Sequence, residues 1–263
     1  MKTPRIGGVV LVLSFFGHCP ALLSRQSGSP ASDLVSSDWE RRADAYAGIK
    51  DNQEALRNPD VRKSLVDLLD RENQVVHQTL VESNGNAGPA VKYGEEYGEY
   101  YSQLLNTVDE VADWHDQHQI CILAAGAYNP ISRFASRLIA KGGVQIVGCL
   151  LKTAQSEYDF DRQRSIPVLM QLSSVNKDLP PTVREEIGRA TVAGLRDPSV
   201  LVRHVTIQGA SKFGTPELIP ILEDLARTDP YSEPINDGKN RRYELRELAT
   251  QAVQSIHDRA TAK

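Results

Sequence analysis

The chain has 263 residues, of which 40% are hydrophobic and 24% are charged, a balance typical of an ordinary globular protein. Aromatic residues make up only 6% of it, so a large core would consist of Leu, Ile, Val and Ala, which favours helix-on-helix packing over a β-sandwich or barrel. The formal charge of −4 makes nucleic acid and anionic membrane surfaces poor partners.

The N-terminus has the parts of a secretory signal. Two basic residues precede an apolar run over residues 6–16, and small residues follow at Cys19 and Ala21. The apolar run is too short for a comfortable membrane span. We therefore predict a signal peptide over residues 1–21 and an exported, periplasmic or secreted protein without stable membrane insertion. The alternatives are an uncleaved signal that anchors the chain and a cytosolic protein.

A tether and a pair of helices are predicted next. Residues 22–36 are rich in Ser, Gly and Pro and show no sustained hydrophobic period, which predicts a flexible tether. Residues 37–84 are predicted to form an N-terminal helix pair. Ser37 and Glu40 fit a capping box at its first helix, and Asn58-Pro59 supplies an N-cap and a first-turn proline for its second.

Four tyrosines and three glutamates are concentrated in residues 93–101. Tyr97, Tyr101, Leu104 and Val108 recur at steps of four and three, which predicts an amphipathic helix. The tyrosines either pack inward while the glutamates face water, or form an aromatic patch that binds a peptide or a sugar.

The segment "WHDQHQIC" (114–121) places His115 and His118 three residues apart, a spacing at which two histidines can share a metal ion. No second pair of ligands with zinc-site spacing exists in the sequence. His115 also continues the apolar stripe of the preceding helix. A partly buried histidine at a helix end is therefore the favoured interpretation.

Two cysteines remain after the predicted cleavage site. Cys121 and Cys149 both lie in apolar helical segments, where cysteine often behaves as a small buried hydrophobe. Outside the cytosol the same two residues could form a disulfide. The sequence leaves both alternatives open.

From about residue 119 onward the chain predicts helix after helix. Helix starts are indicated at Asn129-Pro130, Pro180-Pro181, Asp197-Pro198 and Thr215-Pro216. Pro220 is expected to bend the helix that follows the last of these. No alternating strand pattern is present, so the predicted fold is all-α. The loop over residues 231–242 is long for a repeat-internal turn, and is either functional or merely mobile.

A unit of about 41 to 43 residues recurs in the C-terminal half. At an offset of 43, Val202-Arg203 matches Leu245-Arg246 and Phe213 matches Ile256. At an offset of 41 in the other direction, Arg162 matches Arg203. A two-helix unit of this length is the signature of an α-solenoid.

The stretch "DPSVLVRHVTIQGASKFG" followed by "TPELIPILEDLARTD" (residues 197–229) resembles the HEAT-repeat family. The Asp-Pro turn, the Val-Arg that opens the second helix, its small residues and its terminal Phe-Gly carry the resemblance. It covers residues 180–258 well and extends back to about residue 119, with a weaker echo in "NPDVRKSLVDLL" (58–69). The resemblance implies an α-solenoid of stacked antiparallel helix pairs, about four to five repeats, with the HEAT-like part over residues 93–258.

The resemblance also implies a polar ladder between neighbouring repeats, in which Asp197 and Arg203 take part. Arg162 and Arg246 stand at matching positions but without the matching Asp-Pro turn. For function, the resemblance implies a scaffold or adaptor that binds another protein or a peptide.

Second helices of HEAT units line the concave face, so side chains at matching register form rows across repeats. His204 matches Glu247 and Gln208 matches Gln251, and we predict that these four residues form the binding row. No nucleophile–base set, phosphate-binding loop or dinucleotide motif is present, so we expect neither an enzyme nor a cofactor. The alternative is an envelope enzyme or metal-binding protein that uses the segment Tyr93–Cys121.

Overall fold

The computed structural model describes residues 33–83, 92–126, 133–234 and 241–262. The predicted signal peptide, most of the predicted tether, the Asn129-Pro130 helix start and the tip of the 231–242 loop lie outside these ranges. No helix within the described ranges is long and apolar enough to cross a membrane.

The described residues are mostly helical, which confirms the predicted all-α class. The first helices in chain order are α1 (Trp39–Lys50), α2 (Gln53–Arg57), α3 (Pro59–Glu82), α4 (Glu95–Val111), α5 (Gln117–Gly126) and α6 (Arg133–Gly142). A 3-10 turn (Gly143–Ile146) then leads to α7 (Val147–Ala154), α8 (Asp159–Val175), α9 (Pro181–Leu195) and α10 (Val200–Phe213). A second 3-10 turn (Pro216–Leu218) precedes α11 (Ile219–Thr228), and two short strands, β1 (Glu233–Pro234) and β2 (Arg241–Arg242), precede α12 (Glu244–Thr261).

Short polar residues set the first helix starts. The side chain of Asn58 accepts the backbone N–H of Asp60, and Pro59 occupies the first helical position, as predicted. Helix α1 is capped by Asp38, whose carboxylate accepts the backbone N–H of Glu40. The predicted capping box at Ser37 was therefore wrong by one residue, because Asp is an equally good N-cap.

Pro220 does not bend the interior of a helix. The second 3-10 turn ends at Leu218, and α11 begins at Ile219, so Pro220 lies in the first turn of α11. The backbone nitrogens of a first turn have no intrahelical acceptor, and the missing N–H of proline costs no hydrogen bond there. The predicted bend is replaced by a break between two elements.

The N-terminal part packs around α3. Helix α3 contacts α4 and α5, while α1 contacts α2 and α4. Residues 37–84 hold three helices rather than the predicted pair, since the short α2 lies between α1 and α3. Leu34 is only 3% exposed, so the last residues of the predicted tether belong to the folded part.

The C-terminal part is built from two sets of helices. Helices α7, α9 and α11 contact one another in succession, as do α8, α10 and α12. Fully buried aliphatic side chains fill the space between the two sets, among them Leu169, Leu172, Leu195, Ile207, Leu222 and Leu245. The packing is tight at Gly194 on α9, where an added Cβ would lie 2.7 Å from Oγ1 of Thr206 and 2.8 Å from Cδ1 of Ile166.

Candidate functional site

The four residues of the predicted binding row lie on two neighbouring helices. His204 and Gln208 are half-buried on α10, and Glu247 and Gln251 are exposed on α12. Helices α10 and α12 pack directly against each other. The row therefore lies on adjacent helices, and its α12 members are the more accessible ones.

Two members of the binding row already have charged neighbours. Nε2 of His204 lies 3.7 Å from Oε1 of Glu244, one turn before its register match Glu247. Arg242 donates to Glu247 from both Nε and Nη2, at 3.1 and 3.0 Å. Exposed ion pairs contribute little to stability, so a partner could displace the Arg242–Glu247 pair at small cost.

The base of the 231–242 loop is held next to this row. Strands β1 and β2 pair antiparallel, with Glu233 opposite Arg242. Arg241 donates from Nε to the hydroxyl of Ser232 at 2.6 Å and from Nη2 to its carbonyl at 2.7 Å. This two-residue ladder was not predicted, because each strand is too short to show an alternating pattern.

Arg203 is the centre of a buried link between α10 and the turn after α11. Its Nε and Nη2 donate to the carboxylate of Asp229 at 2.8 and 3.3 Å. Its Nη1 donates to the backbone carbonyls of Asp197 and Pro198 at 2.8 and 3.1 Å. Asp197 therefore accepts from Arg203 through its backbone carbonyl, and the carboxylate that pairs with Arg203 is that of Asp229.

Arg162, 41 residues earlier, repeats this hydrogen-bond arrangement. Its Nε and Nη2 donate to the carboxylate of Asp197 at 2.7 and 2.9 Å. Its Nη1 donates to the carbonyls of Ser156 and Glu157 at 2.8 and 2.9 Å. Asp197 thus joins Arg162 through its side chain and Arg203 through its backbone, so the two links share one residue.

Arg42 in the N-terminal part shows the arrangement a third time. Its Nε and Nη2 donate to the carboxylate of Glu72 at 2.5 and 3.0 Å, and its Nη1 donates to the carbonyls of Ser36 and Ser37 at 2.9 and 3.0 Å. This link was not predicted from the sequence. The predicted N-terminal echo of the repeat lies around Arg62, whose side chain donates, within the described residues, only to the carbonyl of Leu56.

A polar turn residue six positions before each arginine is the shared sequence signal. Ser36, Ser156 and Asp197 each accept, through a side-chain oxygen, the backbone N–H two residues later, at 3.2, 3.2 and 2.8 Å. Serine and aspartate both form such turns. A search for Asp-Pro alone could therefore find only one of the three.

Arg246 on α12 is the last of the arginines at matching positions, after Arg162 and Arg203. Its Nε donates to the carbonyl of Asp229 at 2.8 Å, and its guanidinium stacks on the ring of Tyr243 at 4.1 Å. Asp229-Pro230 supplies the turn that the sequence analysis found lacking, with Oδ1 of Asp229 accepting the N–H of Tyr231. The long loop separates this turn from Arg246, so the spacing of six is lost.

Glu72 is the hydrogen-bond acceptor of two buried tyrosines of α4. It is 0% exposed and accepts the hydroxyls of Tyr97 and Tyr100 at 2.7 and 3.0 Å. Burial, followed by the charge of Glu72, raises the pKa of both hydroxyls, so they stay protonated and donate. The inward-packing interpretation therefore holds for these tyrosines and for Tyr101, while the glutamates of the segment are exposed, namely Glu95, Glu96 and Glu99.

A cavity of about 210 Å³ lies beside this network, where the start of α1 meets the middle of α3. Trp39, Tyr93 and Tyr97 supply aromatic walls, and Arg71 and Val75 of α3 supply the rest of its lining together with Ser37 and Arg42. The tyrosine-rich segment thus contributes to the core and to a concave surface at the same time.

The histidines of the "WHDQHQIC" segment lie outside helix α4. The helix ends at Val111, and His115 is exposed in the following turn, so the predicted partly buried His115 on the apolar stripe was wrong. Asp113 and Asp116 accept the backbone N–H groups of His115 and His118 at 2.9 and 2.8 Å. Within the described ranges, no group of three or more His, Cys, Asp or Glu residues could hold a metal ion.

Cys121 and Cys149 form a disulfide between α5 and α7. Both residues are half-buried rather than enclosed in the core. The side-chain amide of Gln117 also reaches across to the 3-10 turn before α7, donating to the backbone carbonyl of Gln145 at 2.9 Å. Of the two alternatives left open by the sequence, the structure has the disulfide.

Replacing both Cys121 and Cys149 by serine is expected to lower the free energy of unfolding by about 3 kcal/mol, since the bond closes a 28-residue separation. Guanidinium denaturation with and without a reducing agent measures this. The wild type should lose stability on reduction, and the double variant should be insensitive to it. Equal stability of oxidised and reduced wild type would contradict the prediction.

No profile of a known protein family matches the chain, and no curated protein matches its sequence.

Proposed function

We propose that this chain is an exported HEAT-like repeat protein that binds another protein or a peptide and acts as a scaffold or adaptor. The proposed binding surface lies on α8, α10 and α12 and includes the row His204, Gln208, Glu247 and Gln251. The observation that carries the proposal is the succession of these three helices, each in contact with the next.

The helix contacts support a repeat architecture. In a solenoid each unit contacts its neighbours, and two parallel sets of helices result. The succession α7, α9, α11 on one side and α8, α10, α12 on the other is the arrangement that such stacking produces. Side chains at matching register on the second set then form one continuous surface.

The three arginine links support the same architecture. Arg162 and Arg203 occupy matching positions of successive units, and each takes a carboxylate from an element that lies later in the chain. Arg42 and Glu72 make the same link in the N-terminal part. Recurrence of one hydrogen-bond pattern at three positions supports repeated units that begin near residue 36, well before the predicted start at residue 93.

A paired set of charge variants tests the proposed surface. Gln208→Lys together with Gln251→Lys adds two positive charges to the binding row. The tagged chain, cross-linked in the cells that make it, is purified, and the captured proteins are quantified by mass spectrometry. We expect at least a tenfold loss of the proteins captured by the wild type, with an unchanged melting temperature.

Glu223→Lys is the matched control. Glu223 is exposed on α11, in the other set of helices, and the substitution also adds two units of positive charge. This variant should capture the same proteins as the wild type. Full capture by the Gln208→Lys, Gln251→Lys variant, or equal loss in both variants, would show that the row is not the binding surface.

A further inference from the structure

The cavity between α1 and α3 has aromatic walls that pack against one another. The ring centroids of Trp39 and Tyr97 lie 5.4 Å apart at an interplanar angle of 81°, and those of Tyr93 and Tyr97 lie 5.2 Å apart. The hydroxyl of Tyr97 donates to Glu72, and the guanidinium of Arg42 donates two hydrogen bonds to Glu72 and two to backbone carbonyls. Tyr97 and Arg42 are 0% and 3% exposed, so the aromatic surface that an occupant can reach is that of the half-buried Trp39 and Tyr93.

Arg71 adds a fixed positive charge to the lining of the cavity. Its Nη1 donates to the carbonyls of Val35 and Ser36 at 2.6 and 3.0 Å, which holds the side chain in place. A guanidinium has five N–H donors, and within the described residues Nε and Nη2 of Arg71 make no hydrogen bond and no ion pair. Arg71 is half-buried, so these donors are partly shielded from water.

The size of the cavity limits the part of a ligand that it can enclose to a single ring with a short substituent. A protein cavity of about 150 Å³ accommodates benzene. The cavity here measures about 210 Å³, which is below the 300–1,000 Å³ typical of sites for drug-sized ligands and cofactors. A six-membered ring with a short acidic arm therefore fits the available space.

The charge of the side chains that line the cavity favours an anionic ligand. Two arginines line it, and the buried carboxylate of Glu72 is neutralised by Arg42, which leaves Arg71 as the uncompensated charge of the lining. Guanidinium groups bind carboxylates through paired hydrogen bonds, and aromatic rings pack on aromatic walls. A ligand with a ring and a carboxylate meets both requirements.

We propose that the Trp39–Arg71–Tyr93 cavity is a binding site for a small aromatic carboxylate, with the ring packed against Trp39 and Tyr93 and the carboxylate on Nε and Nη2 of Arg71. The carboxylate belongs either to a free acid or to the C-terminal aromatic residue of a peptide, which present the same chemistry. The site is independent of the α10–α12 row, and its ligand does not require the proposed scaffold function.

Titration of the full-length protein with 3-phenylpropionate tests the site. Trp39 is one of only two tryptophans, so its fluorescence reports the occupancy of the cavity. For a ligand of this size we expect saturable binding with a Kd of about 0.1–1 mM. The neutral analogue 3-phenylpropionamide should bind at least tenfold more weakly. Equal binding of acid and amide would overturn the role of Arg71, and no saturation with either the acid or the peptide described below would overturn the site.

Two variants and a control separate binding from folding. Arg71→Gln should weaken binding of the acid at least tenfold, while Arg62→Gln, the same charge change near the start of α3, should leave the Kd unchanged. Val75→Phe fills the cavity from a half-buried position and should abolish binding without changing the melting temperature. Unchanged affinity in the Val75→Phe variant would place the ligand elsewhere and overturn the proposal.

Peptides separate the two sources of the carboxylate. A Gly-Gly-Phe tripeptide with a free C-terminus is compared with its C-terminal amide. Binding of the free tripeptide more tightly than 3-phenylpropionate supports a chain terminus as the occupant. Binding of 3-phenylpropionate alone supports a free acid.

Discussion

Glu72→Gln is expected to lower the free energy of unfolding by about 3–5 kcal/mol, the cost of leaving a buried charge without its partner. Arg42 is 3% exposed and cannot recover the lost interaction from water. Tyr97 and Tyr100 would also exchange a charged acceptor for a neutral one, and hydrogen bonds to charged groups are the stronger kind. Guanidinium denaturation followed by the helical circular dichroism signal measures the change.

Glu82→Gln on the same helix is the matched control for Glu72→Gln. The carboxylate of Glu82 is exposed and pairs with Lys92 at 2.7 Å on the surface, so its loss should shift the transition much less. The double variant Arg42→Met, Glu72→Leu should be more stable than Glu72→Gln, because it leaves no unpaired charge in the core. Equal transition midpoints for Glu72→Gln and Glu82→Gln would contradict the prediction.

Arg203→Met is expected to destabilise the fold by a similar amount, about 3–5 kcal/mol. Asp229 is 2% exposed and would lose the guanidinium that compensates its charge, and the carbonyls of Asp197 and Pro198 would lose a donor. The same denaturation experiment measures the loss. Amide hydrogen exchange should rise first in α11 and α12, because Arg203 ties the turn between them to α10.

Arg246→Met serves as the control for Arg203→Met. Arg246 stands 43 residues after Arg203, but its side chain makes one hydrogen bond to a backbone carbonyl, one ring contact and no ion pair within the described residues. Its replacement should cost about 1 kcal/mol. If Arg246→Met destabilises the protein as much as Arg203→Met, the carboxylate link is not what holds the last helix pair.

Helix class and helix starts were largely predictable because they depend on neighbouring residues. Asn58-Pro59 and Pro180-Pro181 mark starts that the structure has at Pro59 and Pro181. The predictions of helix starts were wrong where two neighbouring positions could begin a helix about equally well. Asp38 rather than Ser37 caps α1, and a break at Ile219 places Pro220 in a first turn instead of bending a longer helix.

The candidate sites were less predictable, because their contacts join residues far apart in the chain. Register alone placed His204 and Gln208 on one helix and Glu247 and Gln251 on the next. The contact of His204 with Glu244 depends on how α10 and α12 meet, and the pairing of Glu247 with Arg242 of the loop base depends on how α12 and β2 meet. The cavity lined by Trp39 and Arg71 depends on the meeting of α1, α3 and the start of α4, which no local pattern describes.

By itself the sequence determined the all-α class, the helix starts at Pro59 and Pro181 and the matching positions of Arg162, Arg203 and Arg246, since these follow from period, capping and spacing along the chain. Only the tertiary structure decided which carboxylate each buried arginine takes, at separations of 30, 35 and 26 residues for the links of Arg42, Arg162 and Arg203. It also decided that Cys121 and Cys149 pair. The physical reason is that a buried charge or thiol is satisfied by whichever group the packing of helices brings within reach, and that group is not fixed by the local chain.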